Sequence, residues 1–183
     1  LRAIKNLETQ KLFTQLGIEI HHFIVSAGLK ELVEECFPKD LITWTFGCRY
    51  TVTFVDENHK DEPESIPVFC MDETMKTRSI FEITKGTFKN PKLEVNKKIS
   101  KEKLWSPFSN LIYIGDGPTD VPSLSLVRDR GGIGIVLFNK NNDCTKIKKR
   151  IGQLSLDKRA DLITPADFSL KSELFNYLKN HCE

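Results

Sequence analysis

The apolar run Leu111-Ile112-Tyr113-Ile114, followed at once by Gly115-Asp116-Gly117-Pro118-Thr119-Asp120 and then by the helix-compatible Val121-Pro122-Ser123-Leu124-Ser125-Leu126, constrains this chain more than any other stretch. It reads as a buried strand that delivers two acids to the mouth of a sheet. Glycine permits a sharp turn at the carboxyl end of the strand, and a helix starting close to Asp120 would let both carboxylates reach one point outside the sheet edge. Oxygen ligands on a rigid turn suit Mg2+, which takes one or two carboxylates and completes its shell with water and substrate phosphate. The same residues would also serve as a polar turn, with Asp120 capping a helix and Asp116 in an Asp-Gly turn.

Strand, turn and helix recur elsewhere. Ile4, Leu7, Leu12, Phe13 and Leu16 form a loose helical stripe over residues 1–16, closed by Gly17. Residues 18–25 read as a buried strand that ends at Ser26-Ala27-Gly28, and a helix follows through Leu29, Leu32, Val33 and Cys36. Residues 43–55 and 66–71 are rich in β-formers and flank the polar stretch 56–63, which predicts a β-hairpin elaboration over 41–71. From Thr74 a helix runs through Ile80, Phe81 and Ile83 to Gly86. A lysine-rich connection leads to the strand at 111–114, and residues 131–138 give another buried strand. A basic helix over 143–154 and an amphipathic helix over 169–181, with Leu170, Leu174, Phe175 and Leu178 on one face, complete the pattern. The fold class is therefore α/β: a Rossmann-like parallel sheet with helices on both faces, occupying 1–183 as one domain.

Composition removes several functions. The chain has 183 residues, 39% of them hydrophobic, which is enough for one sizeable core. Lys and Arg number 27 against 25 acids, and a net charge of +2 does not point to nucleic acid or an anionic membrane. Lysines cluster over 85–103 and 146–150, as expected of a solvated face. No apolar run approaches the ~20 residues that span a bilayer. Five scattered cysteines, Cys36, Cys48, Cys70, Cys144 and Cys182, show no C-x-x-C pair and argue for a reducing compartment, hence the cytoplasm.

Three signals then stand in order: Ser26 at a strand end, Lys76 at a helix start, and the acidic turn at 115–120. Together they resemble the haloacid dehalogenase superfamily of phosphohydrolases. Its second motif, a Ser or Thr after a hydrophobic strand, is matched by Ile24-Val25-Ser26-Ala27-Gly28. Its third, a Lys near a helix N-terminus, is matched by Met75-Lys76-Thr77, and its fourth, an acidic G-D-x-x-x-D, by Gly115 to Asp120. The resemblance implies a Mg2+-dependent phosphatase acting on a small phosphate monoester. Ser26, with the N–H groups of Ala27 and Gly28 at a helix N-terminus, would hold phosphoryl oxygens. Lys76 would supply the cation, and Asp116 would bind Mg2+ with Asp120 beside or behind it.

Each residue also has a plainer role. Ser26 would be an ordinary helix cap and Lys76 an exposed surface lysine. Lys85 is the rival cation, but it falls at the far helix end, roughly 13 Å from Lys76 at ~1.5 Å rise per residue. His21 and His22 have no spaced ligand partner and read as packing residues, and Trp44, Phe46, Arg49 and Tyr50 either pack the sheet or line an entrance.

The family's first motif, a D-x-D after a hydrophobic strand, supplies the nucleophile, and this chain has none. Asp56-Glu57-Asn58 and Asp72-Glu73-Thr74 both follow β-rich runs, but both come after Ser26, the wrong order. In the family that first strand lies between the strands bearing the second and fourth motifs, so its absence would leave two interior edges unpaired. The expectation is a carboxyl-terminal part of a larger enzyme, with the nucleophile strand and any cap upstream of Leu1. The alternative is a non-catalytic relative that keeps the fold as a binding or interaction module.

Overall fold

Local chemistry breaks the first helical stripe in two. In the computed structural model, which describes residues 1–53, 64–90, 92–140 and 159–182, α1 (Arg2–Lys5) gives way to a 3-10 turn at Asn6–Thr9 before α2 (Lys11–Leu16) begins. The Thr9 hydroxyl donates to the Asn6 carbonyl and Gln10 is extended, so the backbone takes a side-chain partner in place of a continuous helical ladder.

The first strand, β1 (Phe23–Leu29), lies further along the chain than its apolar pattern predicts. Its position is set by its partner. β2 (Trp44–Thr53) pairs parallel with it from Phe23 opposite Trp44 to Val25 opposite Phe46, and then, past an irregularity, at Leu29 opposite Cys48. The short α3 (Lys30–Glu35) makes the crossover between them. β3 (Glu64–Phe69) returns antiparallel to β2, the expected hairpin, and completes a mixed sheet in the order β1-β2-β3.

α4 (Glu73–Lys85) starts where the Asp72 carboxylate accepts from the Met75 N–H at 2.7 Å and stops at Gly86, whose left-handed φ of 70° closes the helix. It buries Ile80 and Ile83. After 3-10 turns at Lys101–Lys103 and Phe108–Asn110 the chain enters β4 (Ile112–Gly115), α5 (Val121–Asp129) and β5 (Ile133–Phe138). β6 (Leu162–Pro165) and α6 (Glu173–Cys182) follow.

Alternation along β5 organises this half. Val136 packs with Leu124 of α5, Tyr113 and Ile163, whereas Ile135 and Leu137 pack with Leu174, Tyr177 and Leu178 of α6. The parallel sheet β4-β5-β6 thus carries helices on both faces. Asp161 secures its start, accepting from Arg128 and from the Gly134 N–H, each at 2.8 Å.

The architecture is α/β, but the strands form two three-stranded sheets among the described residues, where one parallel sheet was the sequence expectation. α4 joins them. It touches β1 on one side, and on the other Thr77 meets Ser123 at 3.4 Å and Phe81 meets the ring of Phe108 edge-on at 5.5 Å. α6 begins four residues later than the amphipathic pattern predicts, because the Ser172 hydroxyl accepts from the Phe175 N–H; Leu170 lies outside it and is exposed. The basic helix expected over 143–154, the cluster at 146–150 and Asp56-Glu57-Asn58 lie outside the described residues. No helix of the described residues is long and apolar enough to cross a membrane.

Candidate functional site

Asp120 is where the elements converge. It closes a 3-10 turn at Pro118–Asp120, directly before α5, and is almost fully buried. Its Oδ2 accepts from the N–H groups of Asp116 (3.1 Å) and Gly117 (3.0 Å), which folds the acidic turn around its own last residue. Its Oδ1 accepts from the Tyr113 hydroxyl at 2.9 Å and from Lys76 Nζ at 2.8 Å. Burial alone would raise the Asp120 carboxyl, but the bonds from Lys76, Gly117 and Tyr113 outweigh it and hold the group below the ordinary carboxylate range. The Tyr113 phenol is pushed up, by burial first and then by the Asp120 charge beside it.

Lys76 is not a surface lysine. It sits in the first turns of α4, 8% exposed, and its ammonium also donates to the Thr119 hydroxyl at 3.0 Å. Lys85, at the other end of α4, donates to the carbonyls of Val95 and Lys97 and ties down the connection that follows. The two lysines are therefore separated in both place and duty.

Gly115 is required for space. Neither it nor Gly117 has a positive φ, so conformational freedom does not account for the glycine at 115. A Cβ there would lie 2.5 Å from Asp120 Cβ and 2.8 Å from its Cγ. The side chain of Asp120 packs directly against the strand end.

Ser26 belongs to a second, adjoining group. Contrary to the expected helix cap, β1 continues through Ser26 to Leu29, and α3 starts at Lys30 with Leu29 as its N-cap. The Ser26 hydroxyl accepts from the Gly28 N–H at 3.0 Å, so this donor is turned onto Ser26 itself; Ala27 and Gly28 are exposed. The Cys48 thiol joins this turn to the start of α4: it donates to the Ala27 carbonyl at 3.1 Å and accepts from the Met71 N–H at 3.2 Å. The structure thus brings Lys76, Asp120 and the Asp116 backbone into one hydrogen-bonded network, with the Ser26 turn attached through Cys48. Sequence reasoning missed Tyr113, Thr119 and Cys48; for Thr119 the signal was its place inside the acidic turn, and for Tyr113 its position on the strand leading into it.

Asp116 projects an exposed carboxylate from the turn. Among the described residues no group of three or more His, Cys, Asp or Glu is arranged to hold a metal ion. Asp72, the second decoy nucleophile, is committed to capping α4. His21 and His22 pack: His21 bonds Thr43 and Glu19, each at 3.1 Å, and meets the Trp105 ring at a tilt, while His22 bonds the Leu41 carbonyl at 3.1 Å. Trp44 packs against Phe88 beneath the Lys30 ammonium.

Fold and site together define an α/β protein with a buried lysine–carboxylate pair at the carboxyl end of a parallel strand. No protein-family model matches the chain, and no solved structure matches it. It is similar to an uncharacterized protein of Borreliella burgdorferi, at 25% identity over 182 residues, covering 93% of this chain and 60% of the relative. The chain thus spans about three-fifths of that relative's length.

Proposed function

We propose that this chain is the carboxyl-terminal part of a Mg2+-dependent phosphohydrolase of the haloacid dehalogenase type, which cleaves small phosphate monoesters through an aspartyl phosphate formed on a residue upstream of Leu1. The observation that carries this reading is the buried Lys76–Asp120 pair. Burying an ammonium is costly unless it is paired, and here the partner carboxylate is itself fixed by three further donors. An ammonium has three donors. Among the described residues Asp120 and Thr119 take two, and on this reading the third N–H serves a phosphoryl oxygen. Phosphoryl transfer relies on fixed positive charge and positioning, and a lysine held this way costs no reorganisation when charge develops.

Mg2+ fits the donor set with a division of labour. Both oxygens of Asp120 are engaged, so it would orient the turn and Lys76, while Asp116 would be the ligand. One carboxylate from this chain is compatible with Mg2+, which draws its remaining ligands from water, phosphate and the upstream nucleophile. Bound there, the ion would neutralise phosphoryl oxygens. Ser26 would serve the phosphate by exchanging its bond to the Gly28 N–H for one to the substrate. β1 and β4 each lie at the edge of their sheet among the described residues, where an upstream strand would fit, and the scattered cysteines fit a cytoplasmic enzyme.

The self-satisfied Ser26 turn favours a second reading, a non-catalytic binding module. Hydrolysis of p-nitrophenyl phosphate by the full-length protein, with Mg2+ or with chelator, separates the two. Asp116→Asn is expected to lower Mg2+-dependent turnover at least about tenfold with an unchanged circular dichroism spectrum. Unchanged turnover would remove the metal assignment, and no turnover in the parent protein would leave the binding module.

A further inference from the structure

We propose that Cys48 and Cys70 are a reversible disulfide pair, a modification site between the Ser26 turn and the start of α4. Three observations bring the two thiols into one neighbourhood. First, β2 and β3 run antiparallel, their ladder shifts register beside Tyr50 and ends with Arg49 opposite Phe69, and Cys48 and Cys70 are the next residues on the two segments, which would face each other if the pairing is carried one step further. Facing residues of antiparallel strands point to the same side with Cα atoms about 4.5 to 5.5 Å apart, inside the roughly 4.4 to 6.8 Å span of disulfides. Second, the Met71 N–H donates to Cys48 Sγ at 3.2 Å, which sets that sulfur beside the peptide Cys70 forms with Met71. Third, both thiols are free of disulfides, with Cys70 exposed and Cys48 half-buried.

Exposure assigns the order of events. The Cys70 thiolate attacks one sulfur of a disulfide oxidant such as oxidised glutathione, breaking its S–S bond and releasing one glutathione thiol. Cys48 Sγ then attacks the Cys70 sulfur, forming the protein disulfide and releasing the second glutathione. The two cysteine protons end on the two glutathiones, and two electrons pass from the protein to the oxidant. The Cys48 S–H that donates to the Ala27 carbonyl is consumed, so closure releases the Ser26 turn from its tie to α4.

Peptide mapping tests this directly. The full-length protein is incubated with oxidised glutathione under native conditions, alkylated and digested with trypsin, with the same treatment in urea as control. The expected product joins residues 40–49 to residues 61–76, is reversed by dithiothreitol, and exceeds its share in urea at least about tenfold. Cys48→Ser should arrest Cys70 as the glutathione adduct, the exposed-site variant Cys70→Ser should leave Cys48 reduced, and Cys36→Ser should change nothing. A native protein in which Cys70 carries glutathione while Cys48 remains alkylatable overturns the proposal, as does a distribution equal to that in urea.

Discussion

Asp120 accepts four hydrogen bonds, from Tyr113 on β4, Lys76 on α4 and two backbone groups of its own turn. Its methylene rests on Gly115, which makes the smallest residue nearby the most sensitive to enlargement. Gly115→Ala must displace Asp120, and overpacking of this kind costs about 1 to 3 kcal/mol, an amount that urea unfolding would register. His22 gives a second residue-scale outcome. Burial dominates its environment and lowers its pKa below the usual 6.5, with the hydrogen bond to the Leu41 carbonyl opposing. The fold therefore prefers the neutral ring, and between the unfolded value and the depressed folded value the unfolded chain binds more protons. The His22 contribution is complete above that window and is lost as pH falls through it. Melting at about pH 7.5 and about pH 5.5 should show a smaller acid-induced loss for His22→Gln than for the parent protein.

At the scale of elements, α4 presents its two lysines to different neighbours, and the proposed chemistry requires only one. Lys76→Ala should lower phosphatase turnover of the full-length protein at least about tenfold, whereas Lys85→Ala, which loosens the tie to Val95 and Lys97, should be nearly silent in that assay. The reverse ranking would show that the site lies at the other helix end. Long patterns such as α4, with its Gly86 stop, and the β4 turn were legible in the sequence because each signal is local, whereas Asp72, weighed there only as a nucleophile, is shown by the structure to be the cap of α4. β1 was displaced because a parallel strand is bounded by where its partner begins, and residues 18–22 precede Trp44. β6 went unseen because four residues ending in Pro165 are too few to show a period. Of the candidate site, Asp116 and Asp120 stood out from the glycine-flanked turn after an apolar run, whereas Ser26 and Lys76 were singled out by the family resemblance. The Lys76 bond to Asp120 and the thiol link at Cys48 depend on contacts between distant segments, and the steric reason for Gly115 depends on how the turn folds its last residue back onto the strand end, which residue types alone do not show.

For the whole molecule, β1 pairs with β2 alone and β4 with β5 alone among the described residues, and α4 touches both β1 and the turn leaving β4. An upstream strand in the proposed enzyme would pair with both edges. Backbone amides of Phe23–Leu29 and Ile112–Gly115 should then exchange with deuterium more slowly in the full-length protein than in residues 1–183 alone; equal rates would argue against an inserted strand. The same helix has a consequence at its other end. Trp105 packs on Gly86, the cap of α4, with a Cβ built on that glycine only 3.0 Å from the tryptophan, and its ring sits among Phe23, Phe88 and the Lys89 ammonium. A tilt of α4 that begins at Lys76 would change the surroundings of this indole. In a Trp44→Phe background, which removes the other tryptophan, its fluorescence emission is thus an optical gauge of events at the acidic turn, readable without a label and without touching a site residue.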